Sequence, residues 1–325
     1  MRLAAVDVGT NTVRLLVAEA DSRGTWSPVH RDRVVTRLGQ GLHPGGELLE
    51  PAMERTLAAL ASFQRVWARF GVARVGAVGT CALREASNGD AFLSRVRERT
   101  GLGVEVVSGL EEARLCTRGI WETLVPVLRP REKASSPALL TVDVGGGSTE
   151  VALCREGEPL WMESLPVGVV RLTEAFLKSD PPRTEERQAM QACIESHVAP
   201  LAARHRLEGD ALLVGTAGTV STLGAMLQEL ATYAPERLHG YRLHEDAVAG
   251  LYETLCGMPT TSRLRLPGLE PGREDVIVAG AAVVLGCMRA FRRPEMIVSE
   301  GGLLEGILLR EMERANVAYL GFRIP

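Results

Sequence analysis

The sequence predicts an α/β protein built from two related domains, and three observations carry that prediction. The chain has 325 residues, which is room for two domains with full cores at roughly 100 to 200 residues each. One segment occurs twice: VDVGTNTVRLLV at 6–17 matches VDVGGGSTEVAL at 142–153 with a single offset, since 143 − 7 = 136 and 145 − 9 = 136. Around the two copies, apolar runs of strand length alternate with apolar stripes at helical spacing, the order expected of α/β domains. Hydrophobic residues make up 46% and charged residues 24% of the chain, a globular balance that sets aside disorder and fibrous repeats.

Each copy of the repeat is an apolar strand, an aspartate, a turn of glycines and hydroxyls, and a second apolar strand, so each predicts a β-hairpin with a sharp polar tip. Asp7 interrupts the first apolar stretch where an export signal would need continuity, which points to a mature cytoplasmic protein. Residues 51–70 carry Met53, Leu57, Leu60, Ala61 and Phe70 in a helical stripe that begins with a proline in the first turn. A strand at 74–78, a helix at 90–100, a strand at 104–107 and a helix at 111–124 follow. The stretch RPREKASSP at 129–137 has the proline and charge content of a linker, and places the domains at 1–130 and 137–325. The second domain is predicted to contain a helix at 184–206, a strand at 211–214, helices after Gly218 and over 245–256, and a last strand at 296–299. A final helix over 303–314 is free to pack back on the first domain. The longest apolar run, VIVAGAAVVLG at 276–286, falls short of the roughly 18 to 20 residues that span a bilayer.

Charge and cysteine usage narrow the function. Residues 1–136 hold 19 Lys+Arg and 15 Asp+Glu, and 137–325 hold 18 and 25, giving +4 and −7 and summing to the net −3 of the chain. That asymmetry is too mild to predict nucleic-acid or membrane binding. Lys133 and Lys178 are the only lysines, so an anion must be held by arginine or by backbone amides, and the GKT or GKS of a P-loop is absent. The six cysteines show no CxxC spacing, which argues against zinc, redox and disulfide frameworks.

Chemistry concentrates at a few places. In DVGGGST, Gly145, Gly146, Gly147, Ser148 and Thr149 form a turn whose successive N–H groups can converge on an oxyanion, because glycine leaves the backbone uncovered; a plain hairpin would need the same glycines. Asp7, Gly9, Thr10, Asn11 and Thr12 repeat the design. Two such turns facing each other across an interdomain cleft would clamp a polyphosphate chain. Asp143 and Glu150 flank the second turn at a spacing that brings two carboxylates toward a hard cation, and Mg2+ accepts one or two such ligands with water for the rest. Arg84 in TCALREA is a candidate guanidinium clamp or, equally, a surface residue of a helix start. Glu111 and Glu112 open a helix, where carboxylates are favourable against the helix dipole. Gly215, Thr216, Ala217, Gly218 and Thr219 read as a strand-to-helix turn open to close approach by a ligand. His239 and Arg273 carry weaker indications of substrate contact.

These blocks resemble the actin-like ATPase and sugar kinase superfamily, and within it the exopolyphosphatase and guanosine pentaphosphate phosphohydrolase family. The match runs from VDVGTNTVRLLV through VGTCALREASN (78–88), SGLEEARL (108–115), VDVGGGSTE (142–150), LPVGVVRLTE (165–174), VGTAGTVSTL (214–223) and REDVIVAGA (273–281) to SEGGLLEGIL (299–308). The resemblance implies two ribonuclease-H-like domains with a phosphate-binding cleft between them, and hydrolysis of polyphosphate, of guanosine pentaphosphate, or of both. It implies Glu112 as the catalytic base, Arg84 as a phosphate ligand, Asp143 and Glu150 at Mg2+, and residues 215–219 as a nucleotide loop that polyphosphate would not need. Cys81 stands where many relatives place serine, so a hydroxyl contact to phosphate would be missing. A homodimer without nucleic acid or membrane is the implied assembly. Longer members continue into a helical C-terminal domain with metal-type motifs, and the chain resembles the short form. A small-molecule kinase of the same superfamily and a non-catalytic nucleotide sensor are the alternatives; no acceptor pocket is marked for the first, and an intact Glu112, Asp143 and Glu150 speak against the second.

Overall fold

The computed structural model describes residues 1–21, 25–129, 137–205, 207, 211–317 and 321–322. In chain order, the first part contains strands β1 (Arg2–Val8), β2 (Thr12–Ala20) and β3 (Thr25–Val35), helix α1 (Glu50–Arg69), β4 (Arg74–Gly79), helices α2 (Cys81–Glu85) and α3 (Gly89–Thr100), β5 (Glu105–Val106) and α4 (Gly109–Leu128). There follow β6 (Leu139–Val144), β7 (Thr149–Arg155), β8 (Glu158–Leu165), α5 (Val169–Phe176), α6 (Thr184–Arg204), β9 (Leu212–Thr216), α7 (Ala217–Leu227) and α8 (Pro235–Leu238). The chain ends with β10 (Arg242–His244), α9 (Glu245–Cys256), α10 (Thr260–Arg263), α11 (Ile277–Ala290), β11 (Glu295–Val298), α12 (Leu303–Arg314) and β12 (Gly321–Phe322).

The expected α/β class holds, as two six-stranded mixed sheets with flanking helices. Their orders are β12-β3-β2-β1-β4-β5 and β10-β11-β9-β6-β7-β8. In each, three strands run antiparallel as a meander (β1–β3, β6–β8), and the first strand of the meander pairs on its other side with a parallel strand, β4 or β9. The 136-residue repeat is therefore the central hairpin of one strand order built twice. Contacts divide the chain into Met1–Thr123 with Gly301–Pro325, and Leu124–Glu300. The first unit ends inside α4, a few residues before the expected boundary of 1–130, and the C-terminal segment joins the first unit, as a final helix packing back on the first domain would. Of the linker expected at 129–137, residues 130–136 lie outside the described residues.

In the first unit, Ala4, Val6, Val8, Val13, Leu15 and Val17 join Leu57, Leu60 and Phe63 of α1 and Phe92 and Val96 of α3 in one core. The alternate residues Leu3, Ala5, Leu16 and Ala18 are equally buried. They point to the opposite face, because strand side chains alternate, and α12 packs there on β1 and β4. A sheet covered on both faces explains why β1 reads LAAV without polar interruption. In the second unit, α11 is buried on nearly every position and packs against α5, α6, α7 and α9, so the run VIVAGAAVVLG is an interior helix.

Most predicted elements appear with shifted ends. The strand expected at 104–107 shrinks to the two residues of β5, at the sheet edge, and the helix expected at 111–124 starts earlier and runs on as α4. The helix over 184–206 ends at Arg204, and residue 206 lies outside the described residues. The strand expected as last, 296–299, is Glu295–Val298, with β12 after it.

Candidate active site

In the first unit, β1, β4 and β5 run parallel in the register Val8↔Gly79 and Gly79↔Val106, so their carboxyl ends share one edge of the sheet. That edge is where ligands bind in open α/β sheets. The 9–11 turn, helix α2 with Arg84 and the start of α4 with Glu112 all leave the sheet there. Asp7 is 3% exposed and sits opposite Arg14 in the β1–β2 ladder; Arg14 donates to it from Nε at 2.8 Å and lies at 2.7 Å through Nη2. The carbonyls of the turn are taken up from behind. Thr10 O accepts from Gly39 N at 2.8 Å, and Asn11 O accepts from Thr36 N at 3.0 Å and Arg37 N at 2.9 Å. Asn11 Nδ2 and Thr12 Oγ1 are buried and make no hydrogen bond to the described residues, which leaves polar groups at this tip able to meet a ligand.

Two predicted residues from separate motifs meet at the same edge. Arg84 donates from Nη1 to Val107 O at 2.8 Å and to Glu112 Oε2 at 3.3 Å. Glu112 is 7% exposed, whereas its neighbour Glu111 turns outward, bonded by Arg114 at 2.7 Å and faced by Arg310 at 3.7 Å. The hydrogen bond from Arg114 holds the Glu111 carboxyl below the ordinary carboxylate range. The pair thus divides into an outward-facing ion-pair partner, Glu111, and a buried carboxylate, Glu112, the glutamate that the resemblance singles out. Cys81 is buried, with its Sγ 3.5 Å from Glu85 Oε1.

The second unit repeats the plan. Strands β6, β9 and β11 are parallel in the registers Asp143↔Thr216 and Gly215↔Val298, and the glycine turn, the 215–219 loop and the segment after β11 leave from one edge. Asp143 and Glu150 are direct partners in the β6–β7 ladder and are buried at 6% and 2% exposure; Ser164 Oγ donates to Glu150 Oε1 at 2.7 Å. Glu150 is the repeat equivalent of Arg14, since 14 + 136 = 150. The first hairpin neutralises its aspartate internally, and the second opposes two carboxylates.

Like charges directly opposed in a ladder are unfavourable, the more so when buried, and a hard cation would relieve them. The donor set is oxygen alone, which suits Mg2+. No group of three or more His, Cys, Asp or Glu among the described residues could hold a metal, so the protein would contribute two carboxylates, leaving other positions to water and phosphate oxygens.

The 215–219 loop is more constrained than an ordinary turn. Ala217, which starts α7, has φ 71°, a left-handed conformation that costs a non-glycine residue free energy and collects at functional sites. The guanidinium of Arg273, 7% exposed, lies against Gly218 and pairs with Glu270 at 2.6 Å. Thr216 donates to Ser299 O at 3.0 Å, and His239 Nδ1 accepts from Glu300 N at 3.1 Å. Sequence reasoning missed Arg14, Ser164 and Arg171, whose Nε donates to Gly147 O at 3.0 Å. The 136-residue offset could have pointed to Arg14, but nothing in the local spacing points to the other two.

Known proteins resemble the chain along most of its length. A model described as the Ppx/GppA phosphatase family matches residues 16–315. The chain is 35% identical over 320 residues to Exopolyphosphatase 2 of Mycobacterium tuberculosis, covering 95% of this chain and 98% of the relative. It is 30% identical to Exopolyphosphatase 1 of Mycobacterium leprae, over 96% and 90%. Among solved structures, a Ppx/GppA family member of Aquifex aeolicus superposes with TM-score 0.78 at 32% identity, covering 98% of this chain and 99% of that one. An exopolyphosphatase from Cytophaga hutchinsonii gives TM-score 0.85 at 27% identity, over 97% and 98%.

Proposed function

The chain belongs to the Ppx/GppA phosphatase family, and from that premise we propose that it is a magnesium-dependent phosphoanhydride hydrolase that releases terminal phosphate from inorganic polyphosphate, guanosine pentaphosphate, or both. The observation that carries this reading is the buried Glu112 carboxylate held 3.3 Å from the Arg84 guanidinium at the sheet edge from which the first polar turn also leaves.

In this reading the amides of the 9–12 turn and those of the 145–149 turn each bind phosphate oxygens. Amides preorganised toward an oxyanion need no reorganisation as charge shifts during the reaction. Arg84 turns part of its fork to the phosphoryl group that is transferred. Its Nη1 is shared between Val107 O and Glu112, so a phosphate that draws the guanidinium away frees Glu112 to orient a water and accept its proton. Mg2+, when bound by Asp143 and Glu150, would supply charge neutralisation for the phosphate chain. The same proposal assigns residues 215–219 to the ribose and base of guanosine pentaphosphate; the strained Ala217 and the packing of Arg273 on Gly218 support it.

A homodimer, placed in the cytoplasm on the ground of Asp7 in the first apolar stretch, completes the proposal, and light scattering after gel filtration reports the stoichiometry. Among the described residues, no helix is long and apolar enough to cross a membrane.

Glu112→Gln tests the assignment of the base. The amide keeps the shape and loses the basicity, so turnover should fall by about 10² to 10⁴ with substrate affinity and thermal midpoint unchanged. Near-normal phosphate release by this variant from polyphosphate and from guanosine pentaphosphate would remove Glu112 from the mechanism.

A further inference from the structure

A run of three glycines can rotate its peptides almost freely, since no Cβ opposes either sense. Each peptide of the 145–147 turn could therefore present to a phosphate either its N–H, which attracts, or its C=O, which repels. The structure shows what decides between them. Gly145 O accepts from Val169 N at 3.0 Å, and Gly146 O accepts from Val170 N at 2.9 Å and Arg171 N at 3.3 Å. Gly147 O accepts from the side chain of Arg171, Nε at 3.0 Å. All three carbonyls are held by the first turn of α5, whose N–H groups have no partner within their own helix. The approach is close enough that a Cβ on Gly168 would lie 2.2 Å from Gly147 C and 2.3 Å from Gly146 O.

The third carbonyl differs from the other two. Gly145 and Gly146 are held by main chain, which any sequence of α5 would supply, whereas Gly147 depends on one side chain, 24 residues further along. We infer that Arg171 is a positioning residue for phosphate binding: its Nε–H holds the Gly147 carbonyl against α5, so that the following N–H, that of Ser148, faces the phosphate. The peptide plane makes this necessary, because a carbonyl fixed on one side sends the next amide to the other. The first unit reaches the same end by main chain alone, through the amides of Thr36, Arg37 and Gly39 on Thr10 and Asn11. The inference rests on the proposed role of the 145–149 turn as a phosphate cradle.

The test compares Arg171→Ala with Arg171→Gln. Glutamine places an N–H donor at the same position along the side chain as arginine Nε but carries no charge. Two measurements are made on the full chain: hydrogen exchange of the Gly146–Ser148 amides without substrate, and KM and kcat for polyphosphate with Mg2+. In Arg171→Ala, exchange at the turn should quicken and KM should rise about tenfold, as expected for loss of one hydrogen bond that orders a charged site, with kcat changed less than KM and the thermal midpoint retained. Arg171→Gln should recover most of both.

Glutamine behaving as alanine in KM would show that the charge acts on substrate directly, and would overturn the positioning role. Unchanged exchange at the turn in Arg171→Ala would overturn it too. If the parent chain releases no phosphate from any phosphoanhydride, the hydrolase reading fails while the exchange comparison still decides whether Arg171 orders the turn. Pyrophosphate titration then replaces KM, with the same tenfold expectation, and equal affinity in parent and Arg171→Ala overturns the inference.

Discussion

Three carboxylates and one arginine define the chemistry at the residue scale. Asp7 and Asp143 occupy equivalent places in the two hairpins, but Arg14 faces the first and Glu150 the second. An aspartate paired with arginine is electrically complete, whereas Asp143 and Glu150, both buried, oppose each other as like charges that the proposed Mg2+ would neutralise. Asp143→Ala should accordingly raise the Mg2+ concentration giving half-maximal activity, since fewer oxygen ligands hold the ion against water. Glu150→Ala should do the same. The turn amides survive both changes, so polyphosphate binding should persist where turnover has collapsed. Titration of activity against Mg2+ checks this, and an unchanged magnesium dependence in both variants would assign phosphate handling to arginine and amides alone.

Elements place those residues, and α4 is the element on which the proposed base depends. Glu112 lies in its first turn, and one turn later Leu115 carries a carbonyl 2.0 Å from where a Cβ on Gly306 of α12 would sit. Gly119 of α4 approaches Gly302 O as closely. The crossing of α4 and α12 is set by backbone against backbone and cannot yield by repacking a side chain. Gly306→Ala should thus destabilise the first unit by about 1–3 kcal/mol and lower kcat as α4 shifts, which denaturant unfolding and steady-state kinetics measure; an unchanged kcat would show that α4 tolerates the displacement.

This level also shows what the sequence could convey. The hairpins were legible because alternation, a glycine turn and a repeat coincide at both. Strand β3 was not, because its register slips beside Pro28, opposite Ala18, and its residues are mostly half-exposed. Helix α11 was ambiguous because an element buried all round loses its periodicity. Glu112 stood out through its family block rather than its spacing, and Arg171 could not, since only the three-dimensional course of α5 brings it to Gly147.

For the molecule as a whole, the linear order of the chain and its compact units disagree. Helix α12 completes the first unit after an excursion of 177 residues through the second, Leu124–Glu300, the return that the pattern over 303–314 left open without fixing it.

Buried thiols give the second unit a particular alkaline sensitivity. Burial pushes Cys154 and Cys287 up to about 12 from an ordinary value of 9.0. The unfolded chain ionises these thiols near 9 while the folded one keeps them neutral. Their contribution to stability is therefore complete below pH 9 and lost as pH rises from about 9 through about 12, by about 1.4 kcal/mol per pH unit for each thiol. Denaturant midpoints measured from pH 7 to 11 should be level and then fall, and a profile level to pH 11 would show that the thiols ionise in the folded state.

As proposed, two phosphate-binding turns, an acidic pair and a buried glutamate make a magnesium-dependent phosphoanhydride hydrolase. Phosphate release measured side by side from short polyphosphate, long polyphosphate, guanosine pentaphosphate and ATP, with Mg2+ and with excess chelator, tests it most directly. Release from polyphosphate, guanosine pentaphosphate or both in Mg2+, and its loss in chelator, are the expected outcome. Release that persists in chelator, or no release from any of the four in Mg2+, would contradict it.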